Sequence, residues 1–149
     1  MGVALDEARR APKHDDVPIG AVVARIDTGE VLARRHNERE QAHDPTAHAE
    51  VLALRDAAHR LGSWRLDDCV LVVTLEPCAM CAGAMVGARL GLLAFGADDP
   101  KAGATGSLYN LVADPRLNHE VPLVSGVRAA ECAAVLTEFF RERRTGSVH

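Results

Sequence analysis

Apolar positions fall into short blocks whose spacing changes along the chain. Residues 19–25, Ile-Gly-Ala-Val-Val-Ala-Arg, form one run, and residues 31–36 return as another after Asp27-Thr28-Gly29-Glu30. Two such runs around Asp/Gly turn chemistry predict a β-hairpin. The period then lengthens. Val51, Leu54, Ala58 and Leu61 recur at three- and four-residue intervals. A helix opened by Asp44-Pro45-Thr46 is therefore expected to reach about Leu61, with Gly62 ending it. Residues 69–75, Cys-Val-Leu-Val-Val-Thr-Leu, show no alternation and are rich in β-branched side chains. That is the pattern of a strand covered on both faces. Pro77 suits the first position of a helix expected to end near residue 88.

Weaker signals complete the outline. Residues 3–11 are Ala-rich and predict a short helix stopped near Pro12. Leu92 to Phe95 reads as a short strand, Gly96 to Gly106 as a Gly- and Asp-rich loop, and residues 121–124 as a last strand. Ala129 to about Arg144 predicts a closing amphipathic helix. A hairpin followed by strands alternating with helices implies an α/β domain, with a mixed five-stranded sheet and helices on both faces.

Composition narrows the class. The chain has 149 residues, 48% hydrophobic and 26% charged, which suits one core and excludes a disordered or fibrous chain. A single domain over residues 1–149, with its core at about 17–144, is expected. No apolar run reaches the roughly 18 residues of a membrane span, and the first residues lack a signal-peptide core, so a cytoplasmic protein is expected. The net charge is −4, and Arg9-Arg10, Arg34-Arg35 and Arg143-Arg144 are dispersed among acids. A protein that coats nucleic acid is excluded, whereas one that grips it at a small patch is not.

The chemistry concentrates at two predicted helix starts. Cys78 and Cys81 form a C-x-x-C pair after the buried strand, and His48-Ala49-Glu50 lies at the start of the preceding helix. Residues three apart on a helix are neighbours, so both sulfurs can hold one ion, and a helix N-terminus favours thiolate. Two thiolates and an imidazole suit zinc, with the fourth tetrahedral position left for water. Glu50 points to the same centre only if that centre lies over the helix end, where it would serve as a proton shuttle. A dithiol redox pair would leave His48 and Glu50 idle. A closed structural zinc would need a fourth ligand, for which His36, His43 and His59 are the nearest candidates. Cys69 and Cys132 read as small buried apolar side chains.

These residues carry a resemblance. His48-Ala49-Glu50 with Pro77-Cys78-Ala79-Met80-Cys81 is similar to the signature of the zinc nucleobase and nucleoside deaminases. His43-Asp44-Pro45-Thr46, Thr74-Leu75-Glu76, Ala82-Gly83-Ala84, Asp99-Pro100-Lys101-Ala102-Gly103-Ala104 and Phe139-Phe140 narrow it to the bacterial tRNA-specific adenosine deaminases, over about Val17 to Arg144. The resemblance implies a three-layer α/β/α cytidine deaminase-like fold and a homodimer with one zinc per subunit, bound by His48, Cys78 and Cys81. It also implies deamination of the wobble adenosine of a tRNA anticodon, chiefly an arginine tRNA, to inosine. Glu50 would be the proton donor and acceptor, and Asn37, Asp99 and Lys101 the substrate contacts. The alternative within the same chemistry is a deaminase of a free nucleobase or nucleoside of guanine or cytosine type.

Overall fold

A computed structural model describes residues 1–146. Its elements run α1 (Gly2–Ala8), a 3-10 turn (Ala11–His14), β1 (Gly20–Arg25), β2 (Val31–His36), α2 (Arg39–Ala42), α3 (Ala49–Leu61), β3 (Cys69–Leu75), α4 (Ala79–Gly87), β4 (Leu92–Ala97), β5 (Leu123–Val124) and α5 (Ala129–Gly146). The five strands form one mixed sheet in the order β2-β1-β3-β4-β5. The β1/β2 and β1/β3 pairs are antiparallel, and β3/β4 and β4/β5 are parallel. The expected α/β class, strand count and two-sided cover are all present.

The two faces are packed differently. On one, Ala49, Ala53 and Ala57 of α3 and Ala82, Met85 and Val86 of α4 meet Ala21, Val23, Leu71, Val73, Leu93 and Phe95 of the sheet. Alanines one turn apart let α3 lie close on the strands, which holds its start near that of α4. On the other face, Leu5 and Cys132 bring α1 and α5 against Ala97. Two glycines permit this approach. A Cβ on Gly20 would fall 1.9 Å from the Ala4 carbonyl oxygen, and one on Gly96 would fall 2.4 Å from Cys132 Sγ.

Several boundaries differ from the sequence reading, each for a local reason. The second long helix begins at Ala49 rather than near Asp44, because Asp44 Oδ1 accepts hydrogen bonds from the Thr46 N–H and hydroxyl, both at 2.8 Å. That side-chain turn competes with helix. The short helix α2 was not foreseen. It ends at His43, whose φ is 51°, in the left-handed region. The first helix stops at Ala8 instead of residue 11, and Ala11 opens a separate 3-10 turn with Pro12 as its second residue. Pro77 stays outside α4, and its carbonyl accepts the Ala104 N–H at 2.8 Å. Of the expected stripe on α3, Leu54 is buried, while Val51, Ala58 and Leu61 are half-buried on the flank.

A polar chain ties the N-terminal segment to α2. Glu7 Oε2 lies 2.8 Å from His36 Nδ1, His36 Nε2 3.1 Å from His14 Nε2, and His14 Nδ1 2.8 Å from Asp16 Oδ2. Asp16 also accepts the Glu40 and Gln41 N–H groups at the start of α2, and Glu7 accepts Arg34 Nε at 2.8 Å. Burial works to raise both carboxyls. The hydrogen bonds outweigh it and hold Glu7 below its ordinary 4.5 and Asp16 below its ordinary 3.8. A depressed folded value contributes stability that is complete above the unfolded pKa and is lost as pH falls through the folded one. The stability these two carboxylates contribute is expected to be complete above about pH 5 and to decline below about pH 4, so that thermal melting falls less steeply with acid in Glu7→Gln than in the parent. An equal acid slope in that variant would remove Glu7 from the account.

Candidate metal centre and active site

His48 and Cys78 occupy equivalent places, each the N-cap of its helix, α3 and α4, with extended backbone. Cys81 follows in the first turn of α4. Both N-cap side chains are free to face the centre because neither caps its own helix. The missing cap on α3 is supplied from outside, where Asn37 Oδ1 accepts the Ala49 N–H at 2.8 Å. His48 Nδ1 lies 3.6 Å from Cys78 Sγ and 3.5 Å from Cys81 Sγ, and the three donor atoms lie within 4.8 Å of one another. A tetrahedral zinc with Zn–N of about 2.0–2.1 Å and Zn–S of about 2.3 Å separates N from S by about 3.6 Å. The residues fit that ion without rearrangement. Among the described residues this is the one such group of three or more, so no fourth protein ligand closes it. His36 is engaged with Glu7 and His14, His43 sits exposed at the end of α2, and His59 is exposed on the last turn of α3.

Electrostatics sort the two thiols. The hydrogen bond from Cys81 holds Cys78 at about 3 against the opposing burial, with His48 as its second partner. Cys81 is pushed up because it donates to that thiolate and is buried. His48 is raised in turn, mainly by its contact with Cys78. Cys78 is thus the readier thiolate of the two, and a bound cation would favour loss of the proton that Cys81 shares with it.

Glu50 is buried at 4% exposure in the first turn of α3. Burial pushes its carboxyl above the usual carboxylate range. Its Oε1 has no hydrogen-bond partner, which is costly in a folded interior unless something outside the chain completes it. The structure brings His48, Cys78, Cys81 and Glu50 together, and Asn37, 4% exposed, borders them through its bond to Ala49. Asp99 and Lys101 are not brought into this cluster. With Val17, Leu75, Pro100, Leu136 and Phe140 they line a groove of about 570 Å³ between their loop and α5. Asp99 Oδ1 accepts the Lys101 and Ala102 N–H groups at 3.0 and 3.3 Å, closing a turn that leaves Lys101 exposed.

One residue of this region escaped the sequence reading. Glu76 is 3% exposed, and its carboxylate is held by the loop from Asp99 to Ser107. Oε1 accepts the Asp99 N–H at 3.0 Å and the Ser107 hydroxyl, and Oε2 accepts the Thr105 and Ser107 N–H groups at 3.2 and 3.0 Å. Burial raises its carboxyl, and these four donors bring it below the ordinary value. The available signal was a carboxylate closing an apolar strand directly before Pro77.

A family model described as MafB19-like deaminase matches residues 1–144. The tRNA-specific adenosine deaminase of Bacillus subtilis (strain 168) is 49% identical over 144 residues, 97% of this chain and 88% of that one. The chain belongs to the tRNA-specific adenosine deaminase family. A solved structure from a study of A-to-I editing by tRNA:A34 deaminases superposes on this deaminase with a TM-score of 0.87 and 44% identity, covering 91% of this chain and 97% of that one. The guanine deaminase of Nitrosomonas europaea superposes with a TM-score of 0.81 and 26% identity, over 93% and 81% of the two chains. The deaminase thus shares its cytidine deaminase-like fold with enzymes that differ in substrate.

Proposed function

We propose that this enzyme hydrolytically deaminates adenosine to inosine at the wobble position of a tRNA anticodon, with an arginine tRNA as the expected substrate. The observation that carries the reading is the buried Glu50 carboxylate, its Oε1 without a hydrogen-bond partner, beside three ligand atoms at zinc spacing. His48, Cys78 and Cys81 would hold one zinc per subunit. Bound there, zinc supplies a Lewis acid that brings the pKa of water from 15.7 to roughly 7. Glu50 carries two protons in succession, passing the first from the attacking water to the purine ring nitrogen and the second, from the hydroxyl now on C6, to the departing amine. The water oxygen ends on C6, the C6–N bond breaks, and ammonia leaves. Asn37, with Oδ1 committed to Ala49, offers its NH₂ end as a donor to the flipped nucleotide. Asp99 and Lys101 act on the strand that follows the nucleotide into the groove.

The chain works as one deaminase domain over residues 1–149, paired as a homodimer in the cytoplasm. A shallow apolar groove along α3 and α4, lined by Val51, Ala58, Leu66, Ala84 and Ala88 with the exposed Trp64, supports the pairing. No helix among the described residues is long and apolar enough to cross a membrane.

A second reading is supported by the likeness to the guanine deaminase, since the same ligands and carboxylate would serve a free nucleobase. Incubation with an adenosine-wobble tRNA, and separately with adenosine, cytidine, cytosine and guanine, separates the two. Inosine confined to the anticodon is the expected result. Turnover of a free base with none in tRNA would replace the first reading by the second.

A further inference from the structure

Glu76 lies two residues before the first thiolate and has no role in holding metal. Its carboxylate is buried without a cationic partner among the described residues, and its charge is balanced by three backbone N–H groups and one hydroxyl. All four donors come from one stretch, Asp99 to Ser107. The loop fits around the carboxylate closely, since a Cβ on Gly103 would fall 2.3 Å from Glu76 Cδ and Oε2. The loop is also hung on the other side of the same turn, through the Ala104 N–H to the Pro77 carbonyl at 2.8 Å. Both anchors sit on the short link between β3 and the thiolate helix. The wall of the groove that carries Pro100 and Lys101 is therefore registered to the metal ligands through residues 76 and 77.

We propose that Glu76 is a positioning residue for the reaction, holding the Asp99–Ser107 loop at the height where an RNA strand lying in the groove brings its target base to His48, Cys78, Cys81 and Glu50. This rests on the reading of the protein as an RNA deaminase. A glutamine at this position cannot serve, because its NH₂ would face the Asp99 N–H on one side or the Thr105 and Ser107 N–H groups on the other, and push part of the loop away.

The test uses the zinc-loaded full chain and a synthetic anticodon stem-loop RNA carrying adenosine at the wobble position. Wild type, Glu76→Gln, Lys101→Ala and the double variant are compared for zinc content, for RNA Kd by fluorescence anisotropy, and for KM and kcat. Glu76→Gln is expected to keep one zinc per chain, weaken Kd and raise KM by about tenfold or more, and change kcat by less than about threefold. Lys101→Ala alone should weaken Kd by about threefold to fivefold, and should add nothing in the Glu76→Gln background, because the displaced loop no longer presents it. Should Glu76→Gln fail to fold, Ser107→Ala removes one donor and keeps the charge, and is expected to shift KM and Kd in the same direction by a smaller factor. Zinc loss with an unchanged Kd, or full additivity with Lys101→Ala, would overturn the proposal. A wild-type protein that binds no anticodon RNA would overturn the function itself, a result the variants cannot mimic.

Discussion

Glu50→Gln is expected to lower turnover by about 10²–10⁴-fold while the protein keeps one metal ion per chain. The carboxylate lies beside the ligand cluster, yet it is not one of the three donor atoms that share the 4.8 Å separation. The amide keeps the shape and removes the proton-carrying group, so chemistry should fail while metal uptake persists. Stability should hold or rise, because burial disfavours the ionised carboxyl and Oε1 makes no hydrogen bond that the amide would lose. Metal analysis, a melting curve and inosine formation on the same preparation check all three parts. Retained activity would end the role given to Glu50, and loss of metal would move it into the ligand set.

Cys78→Ser and His48→Ala are expected to act in the opposite order, with metal content falling from one per chain to near zero and activity falling with it. Three protein ligands leave no spare, and serine offers a hydroxyl in place of a thiolate held at about 3. Because a bound ion stabilises only the folded state, these variants should also melt lower than the zinc-loaded parent, and the difference should vanish when both are stripped with a chelator. Full zinc occupancy in either variant would mean that the ion sits elsewhere.

Much of this could be read along the chain, and the parts that could were those written in local chemistry. The run Cys69–Leu75 is apolar enough to be a two-sided strand in any context, and it occupies the centre of the sheet. His48, Cys78 and Cys81 could be grouped because each sits at a helix start and only a shared ion accounts for all three. Helix boundaries were less legible. Asp44 looks like a cap, and its side chain instead closes on Thr46; Pro77 looks like a first helical residue, and its carbonyl instead holds Ala104. In both places the competing partner settles the outcome, and for Pro77 it lies far along the chain. Glu76 shows the same limit more sharply, since its four donors lie 23 to 31 positions away.

Periodicity, turn residues and side-chain chemistry were enough for the α/β class, the five strands and the grouping of His48 with Cys78 and Cys81, because those follow from backbone preferences and from what each side chain can coordinate. Distances between groups remote along the chain followed from packing. The alanine face of α3 against the sheet draws His48 within 3.6 Å of the sulfurs, and Asn37 frees that imidazole by capping α3 in its place. No pattern of residue types encodes those separations, since they depend on how closely two layers of side chains can approach.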